Sequence, residues 1–155
     1  MIFERFCVVG NVWREPRGWR VRVTDLTRAL GEAPHHRLDL HVLSCDGWDP
    51  VALRVAIDLH GGDRRVLALG QCEGLLAMVT APAEGRPPQA GDAEVVAAVL
   101  SSLLVDGHGR GLTGWRFDPM DLRLEDGRVR FDAWRHLDGV HFGDEPSARA
   151  DVIAL

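Results

Sequence analysis

Two histidines, three acids and two glycines fall within eleven residues near the end of the chain, in the segment RHLDGVHFGDE at 135–145. Imidazole and carboxylate groups that lie close together can bind a divalent metal ion or divide the roles of general acid and general base. His, Asp and Gly are also ordinary residues of turns and strand ends. The segment is therefore either a site of chemistry or a polar turn reversing at Asp138-Gly139, which would carry His141 back toward His136.

A second histidine cluster occurs in HHRLDLH at 35–41. Strand alternation would place Asp39 and His41 on one side of a strand, two residues apart, where both could face one ion. The spacing in neither cluster matches a known metal-ligand motif. We therefore expect no bound metal and no cofactor.

The segment GRGLTG at 109–114 matches the G-x-G-x-x-G pattern of dinucleotide-binding proteins. That pattern works where a glycine turn joins a strand to the N-terminus of a helix. Here it follows a predicted helix and precedes a predicted strand at 115–117, so we expect a connecting loop instead. The chain also lacks G-x-S-x-G and H-E-x-x-H, the signatures of common hydrolases and zinc proteases.

Composition limits the classes of partner. The chain has 155 residues, with 23 acids, 18 bases and a net charge of −5, which disfavours binding to nucleic acid. All the bases are arginine, a bias that a high-GC bacterial genome explains. No apolar stretch reaches the ~18 residues of a membrane span, and the N-terminus does not resemble a signal peptide. We expect a cytoplasmic protein, with its three cysteines unpaired.

The last hairpin is the best-marked element. Asp126-Gly127 separates two alternating segments, the strongest short-range signal for a two-residue hairpin turn. The core face is predicted to contain Leu122, Leu124, Val129 and Phe131.

The opposite face of this hairpin is the candidate site. Five side chains are expected on one side of the second strand: Arg128, Arg130, Asp132, Trp134 and His136. Asp121 and Arg123 would face them from the first strand, so the charges form either a solvated salt-bridge ladder or part of a contact surface. Trp134 needs cover from another element, a ligand or a partner.

A helix is predicted at about 92–105, where apolar residues recur in one helical stripe. The stripe comprises Val95, Val96, Val99, Leu100, Leu103 and Leu104. Small residues occupy the opposite face, namely Ala97, Ala98, Ser101 and Ser102, which indicates either an exposed surface or a homodimer seam.

The remaining segments predict strands and one short helix. Residues 2–9 are typical of an interior strand, 19–23 and 38–42 alternate as strands, and 24–31 predicts a short helix. Asp49-Pro50 is a good helix start, yet apolar residues alternate from Val51 to Leu59, which favours a strand.

These elements predict one α+β domain over 1–155: a curved, mostly antiparallel sheet of seven to nine strands packed on the 92–105 helix. Whether the sheet is an open sandwich or a partial barrel stays undecided.

Two functions fit this sequence. The first is a non-enzymatic binding or interaction protein, such as an accessory, inhibitor or immunity-like partner, that holds a protein or an apolar small molecule. Its contact residues would be Arg130, Asp132, Trp134, His136, Asp138 and His141. The second is a small acid/base or metal-assisted enzyme (a cyclase, isomerase or hydrolase) with an apolar Trp-lined pocket. Its catalytic candidates are Asp121, Asp132, His136 and His141.

Overall fold

The fold is taken from a computed structural model that describes residues 4–15, 17–27, 37–60, 66–143 and 151. It is α+β, with a five-stranded antiparallel sheet and one main helix, as the sequence predicts. The chain divides into two compact units, residues 1–46 with 60–82, and residues 47–59 with 83–155. Among the described helices, none has the length and apolar character needed to cross a membrane.

The first unit contains the large sheet, whose spatial order is β1-β2-β3-β5-β4. Its strands are β1 Phe6–Glu15, β2 Gly18–Asp25, β3 Leu38–Ser44, β4 Val66–Cys72 and β5 Leu75–Thr80. All four pairings are antiparallel. The predicted sheet of seven to nine strands is thus divided, because the four remaining strands of the described chain form two separate pairs.

One side of this sheet, here called the apolar face, carries the core of the unit. Its buried centre consists of Val23, Leu38, Leu40, Ala77 and Val79. Register extends the same face toward β1, because Val8 lies opposite Val23 and Val12 opposite Val21. Paired residues of adjacent strands point to the same side of a sheet. The apolar face therefore continues from a buried centre to an edge strand.

Strand β1 is an edge strand, which corrects the prediction of an interior strand at 2–9. Within the described chain it pairs only with β2, and Cys7 through Val12 are exposed. The register shifts between Val8 and Val12, where three residues of β1 lie opposite the single residue Arg22. Such a bulge bends the strand and increases its twist.

The second unit contains both helices and the two small strand pairs. Its elements are α1 Pro50–Asp58, α2 Ala93–Gly109, β6 Leu112–Thr113, β7 Leu122–Glu125, β8 Arg128–Phe131 and β9 His141–Phe142. Strand β6 pairs with β9, and β7 pairs with β8. The GRGLTG segment runs from the last residue of α2 through β6, so it leads from a helix into a strand as expected, although that strand is 112–113 and not 115–117.

Helix α1 replaces the strand predicted at 51–59. The Asp49 side chain caps it by accepting hydrogen bonds from the backbone of Val51 and Ala52. Its buried residues are Ala52, Leu53, Ala56 and Ile57. They recur at helical spacing, and the two alanines complete a stripe that the valines and leucines alone do not show.

Helix α2 runs four residues past its predicted end. It buries Val96, Leu100, Leu103 and Gly107, a narrower stripe than predicted, since Val95 and Val99 are exposed. Gly107 is required by packing, because a Cβ there would lie 2.8 Å from the Trp115 ring. The last turn of α2 therefore lies directly on this indole.

The β7–β8 hairpin has the predicted register. Leu122 lies opposite Phe131, and Leu124 lies opposite Val129; all four are buried. Asp126 and Gly127 both have positive φ, at 51° and 74°, as a two-residue hairpin turn requires.

Several predictions fall partly outside the described residues, including the first residues of the strand at 2–9 and of the histidine cluster at 35–41. The helix expected at 24–31 begins in what is strand β2, and 28–36 are not among the residues described. The same is true of Asp144 and Glu145 at the end of the 135–145 segment. Curvature of the sheet and a single domain over 1–155 stay predictions.

Candidate functional site

Trp134 and His136 lie in an aromatic core instead of on a strand surface. Strand β8 ends at Phe131, and 135–137 form a turn of 3-10 helix, which corrects the predicted continuation of the strand. Trp134 is 4% exposed and His136 is 1% exposed. The His136 ring stacks on Phe131 at 4.1 Å between ring centroids and lies 5.5 Å from Trp134. Trp134 is therefore covered by other residues of the chain, which is one of the three possibilities that the sequence leaves open.

Asp121, a catalytic candidate, is held by Arg135. The Arg135 Nε lies 2.9 Å from Oδ1 and 3.0 Å from Oδ2 of Asp121, and the side chain of Asp121 is only 4% exposed. Burial raises the pKa of Asp121, while the Arg135 guanidinium opposes that rise. The guanidinium also lies 3.5 Å from Asp118. The carboxylate of Asp121 is therefore already paired with a cationic side chain of the same protein, Arg135.

The other charged candidates of the hairpin are paired as well. Asp132 lies 3.3 Å from Arg123, and Arg130 lies 3.5 Å from Glu125. Asp132 and Asp121 are neighbours, since the Asp132 amide donates to the Asp121 carbonyl at 2.7 Å. These contacts form a salt-bridge ladder, which is one of the two arrangements expected for this face of the hairpin.

The 135–145 segment is a turn at its centre. Asp138 and Gly139 form the turn, and the Trp48 indole donates to the Asp138 carbonyl at 3.1 Å. His141 is exposed on β9, with Nδ1 2.8 Å from the Gly139 carbonyl and Nε2 3.3 Å from the Thr113 hydroxyl. The histidine therefore braces the β6–β9 pair.

His108 and Asp151 form a histidine–aspartate pair next to β6 that the sequence does not indicate. The Asp151 carboxylate accepts from His108 Nε2 at 2.9 Å and from the Gly114 amide at 2.9 Å. The Asp151 side chain is buried and that of His108 is 30% exposed. The two residues are 43 positions apart and belong to no motif, so no local signal marked them.

The sheet of the first unit carries polar side chains on the side opposite the apolar face. They are Glu15, Arg20, Arg22, Asp39, His41 and Thr80, and the ring of Trp13 lies among them. His41 is fully buried, with Nδ1 3.2 Å from Glu15 and Nε2 3.1 Å from Thr80.

Asp39 does lie on the same side as His41, as alternation predicts, but Arg22 binds its carboxylate with contacts of 2.5 and 3.4 Å. Arg20 and Arg22 also cover the Trp13 ring, at 4.8 and 5.4 Å from its centroid. Arg20 Nε lies 3.8 Å from Glu15 Oε1, so most of the polar groups here are paired with one another. Within the described ranges, no three His, Cys, Asp or Glu side chains are placed to hold a metal ion.

Three large apolar side chains on or beside β1 are at least half exposed and share one face of the sheet. Val8 is 60% exposed, Val12 is 56% exposed and Trp19 is 51% exposed. Register places all three on the apolar face, since Arg14 lies opposite Trp19 and both belong to the same row as Val42. We call these three residues the apolar margin.

A pocket of about 370 Å³ adjoins the apolar margin at the end of the β1–β2 hairpin. Its lining residues are Arg14, Glu15, Arg17, Gly18, Trp19, Ser44 and Asp46. Most of the lining residues carry charged or polar side chains, and Trp19 adds an aromatic surface. The apolar, Trp-lined pocket of the enzyme alternative stays a prediction.

Comparisons with known proteins add the fold alone. No family model and no curated protein matches the chain. A solved structure with a similar fold is a twitchin kinase fragment of C. elegans, described as autoregulated protein kinase and immunoglobulin domains, with a TM-score of 0.56 and 11% identity. The match covers 84% of this chain and 32% of that chain, so the present chain spans about a third of that structure.

Proposed function

We propose that the protein is a non-enzymatic interaction protein that binds a protein partner through the apolar margin. The observation that carries the proposal is the exposure of Val8, Val12 and Trp19 on one face of one sheet. Exposed apolar side chains that form a continuous patch, in contrast to isolated ones, are typical of interaction sites. Contact with a second apolar surface is favourable for such a patch, since it removes the apolar side chains from water.

The residues beside the margin fit a partner of mixed chemistry. The Arg14 guanidinium lies 6.0 Å from the Trp19 ring centroid and is exposed. Trp and Arg are the residue types enriched among those that dominate binding energy. We therefore expect the partner to present an apolar surface for Trp19 and a carboxylate for Arg14. The adjacent pocket has room for one side chain of that partner.

The alternative, an acid/base or metal-assisted enzyme, has less support. Asp121 and Asp132 are held by arginines, and His136 lies inside an aromatic core. A general acid or base has to come within hydrogen-bond distance of a substrate. Of the four candidates, His141 is exposed, and its ring contacts Thr113 and Gly139.

The fold likeness to a kinase fragment gives phosphoryl transfer no support. Protein kinases use a lysine on their third strand, an aspartate in H-R-D and another in D-F-G. The present chain has no lysine and neither tripeptide. Its own third strand carries His41, which is bound to Glu15 and Thr80.

Site-specific photo-cross-linking in cells tests the proposal. A photoreactive residue at Val12 should form an adduct of one discrete mass with a different protein, and the matched position Val105, which is 70% exposed on α2, should not. A Trp19→Ala change in the same chain should abolish this adduct, since loss of a hot-spot tryptophan costs about 2 kcal/mol or more. Equal adducts with a different protein at both positions, or such an adduct at Val12 that survives Trp19→Ala, would contradict the proposal.

A further inference from the structure

Among the residues that the structure describes, the outer edge of β1 pairs with no other strand and carries few protective features. The strand is ten residues long, and every residue from Cys7 to Val12 is exposed. No charged residue and no proline occurs from Phe6 through Trp13. Natural proteins normally protect such an edge with lysine, proline, short length or a covering element, because its free N–H and C=O groups pair readily with another strand.

The bulge between Val8 and Val12 is a protective feature of this edge. Gly10 lies inside it, and a Cβ at Gly10 would be 2.9 Å from the Cβ of Arg22. The bulge therefore brings β1 backbone close to β2 at a point where β1 has no side chain. This leaves the opposite edge of Gly10 accessible to a second backbone.

We propose that β1 pairs edge to edge, in antiparallel orientation, with β1 of a second copy of this chain. The two-fold axis passes at Gly10, which gives an isologous interface. This inference rests on the proposed function, because joining two sheets in this way sets two apolar margins side by side as one larger contact surface.

Pairing about Gly10 matches the side chains of the two strands. Val8 of each copy lies opposite Val12 of the other, so the exposed valines form two cross-strand pairs on the apolar face. Beyond them, Glu4 of one copy is the diagonal neighbour of Arg14 of the other, within reach of long side chains. Both residues are exposed, and their charges are opposite.

A shift of one residue would be unfavourable. In one direction it would bring Glu4 toward Glu15, and Arg5 toward Arg14, where like charges are unfavourable. A one-residue shift in either direction moves the valines of the second copy to the other face of the sheet. The alternation of the valines therefore disfavours both one-residue shifts.

Sedimentation velocity of the full chain over a concentration series tests this pairing. The wild-type chain should sediment as a dimer at about 100 μM, and Val8→Lys/Val12→Lys should sediment as a monomer at the same concentration because lysines then face each other. The control, Val99→Lys/Val105→Lys on the exposed side of α2, adds the same charge and should remain dimeric.

Charge reversal tests the register with substitutions that leave the fold intact. Glu4→Arg or Arg14→Glu alone should weaken the dimer about tenfold, since symmetry makes each change act twice. The double variant should return to within about threefold of wild type. A wild-type monomer, or a dimer that is indifferent to all of these changes, overturns the pairing. Neither outcome affects the Val12 cross-link to a different protein, whose absence beside an intact dimer would overturn the proposed function alone.

Discussion

The guanidinium of Arg135 closes over both carboxylate oxygens of Asp121, a residue that is 3% exposed. Removing one partner of a buried ion pair leaves the other charge without compensation. Because Arg135 is itself partly exposed, we expect Arg135→Ala to lower the free energy of unfolding by about 2 kcal/mol, less than for a fully buried pair. Urea denaturation measures this change.

The matched control for Arg135→Ala is Arg123→Ala, whose pair with Asp132 is partly exposed on both sides. It should cost about 0.5 kcal/mol or less. Without Arg135, burial and the negative charges of Asp118 and Asp132 act on Asp121 unopposed and raise the pKa of its carboxyl further. A carboxyl with a raised pKa loses stability as pH rises, so the deficit of Arg135→Ala should shrink on acidification. A deficit that grows at low pH would contradict this assignment.

His60 predicts a loss of stability in mild acid. Burial lowers the pKa of His60 from 6.5 to about 4, and the residue is 8% exposed. The unfolded chain therefore takes up a proton at a pH where the folded chain does not. Stability is fully present above pH 6.5 and falls by up to about 3 kcal/mol as pH drops to 4. The measurement is the free energy of unfolding of wild type and His60→Gln against pH; an equally steep fall in both would exclude His60 as the cause.

Gly114 and Gly127 offer a comparison between two positive-φ glycines. At Gly114 (φ 84°) a Cβ would lie 2.1 Å from the Gly139 carbonyl oxygen, whereas nothing lies within 4 Å at Gly127 (φ 74°). Gly127→Ala should cost about 1 kcal/mol of strain. Gly114→Ala adds a backbone clash and should cost about 3 kcal/mol or more. Thermal denaturation of the two variants checks the order, and equal costs would refute the close approach at Gly114.

Two tryptophan substitutions should separate core from surface. Trp134 contacts Phe131 and His136 inside the second unit, so Trp134→Ala should cost about 3–5 kcal/mol of folding free energy. Trp19 is half exposed, so Trp19→Ala should cost less than about 1 kcal/mol while removing partner binding. If Trp19→Ala were the more destabilising of the two substitutions, the sequence-based prediction that Trp134 is a contact residue would be favoured.

The sequence predicts elements well where local chemistry is decisive. Asp126-Gly127 requires positive φ at both positions, and the alternating residues on either side leave one register that buries Leu122 and Phe131. Helix α1 differs from the predicted strand because the alternation of valine and leucine leaves out Ala52 and Ala56, which belong to its buried side. Small residues complete a helical stripe that larger residues alone leave ambiguous.

The candidate site was less predictable, because it depends on which elements are neighbours. The apolar residues of β1 are typical of an interior strand, and nothing in the sequence states that only one side is paired. Likewise, the strand ending at Phe131 turns Trp134 inward, while alternation would have continued it along the surface. His108 and Asp151 meet across 43 residues, a distance over which periodicity carries no information.

The unequal exposure of the tryptophans gives the chain an optical probe of its own. Trp115 and Trp134 are shielded from solvent, whereas half of the Trp19 surface is in contact with water. A soluble quencher such as acrylamide will therefore reach Trp19 first and dim the red side of the emission spectrum. A molecule that seats on the apolar margin will shield that fluorophore, so binding can be followed in solution without any label.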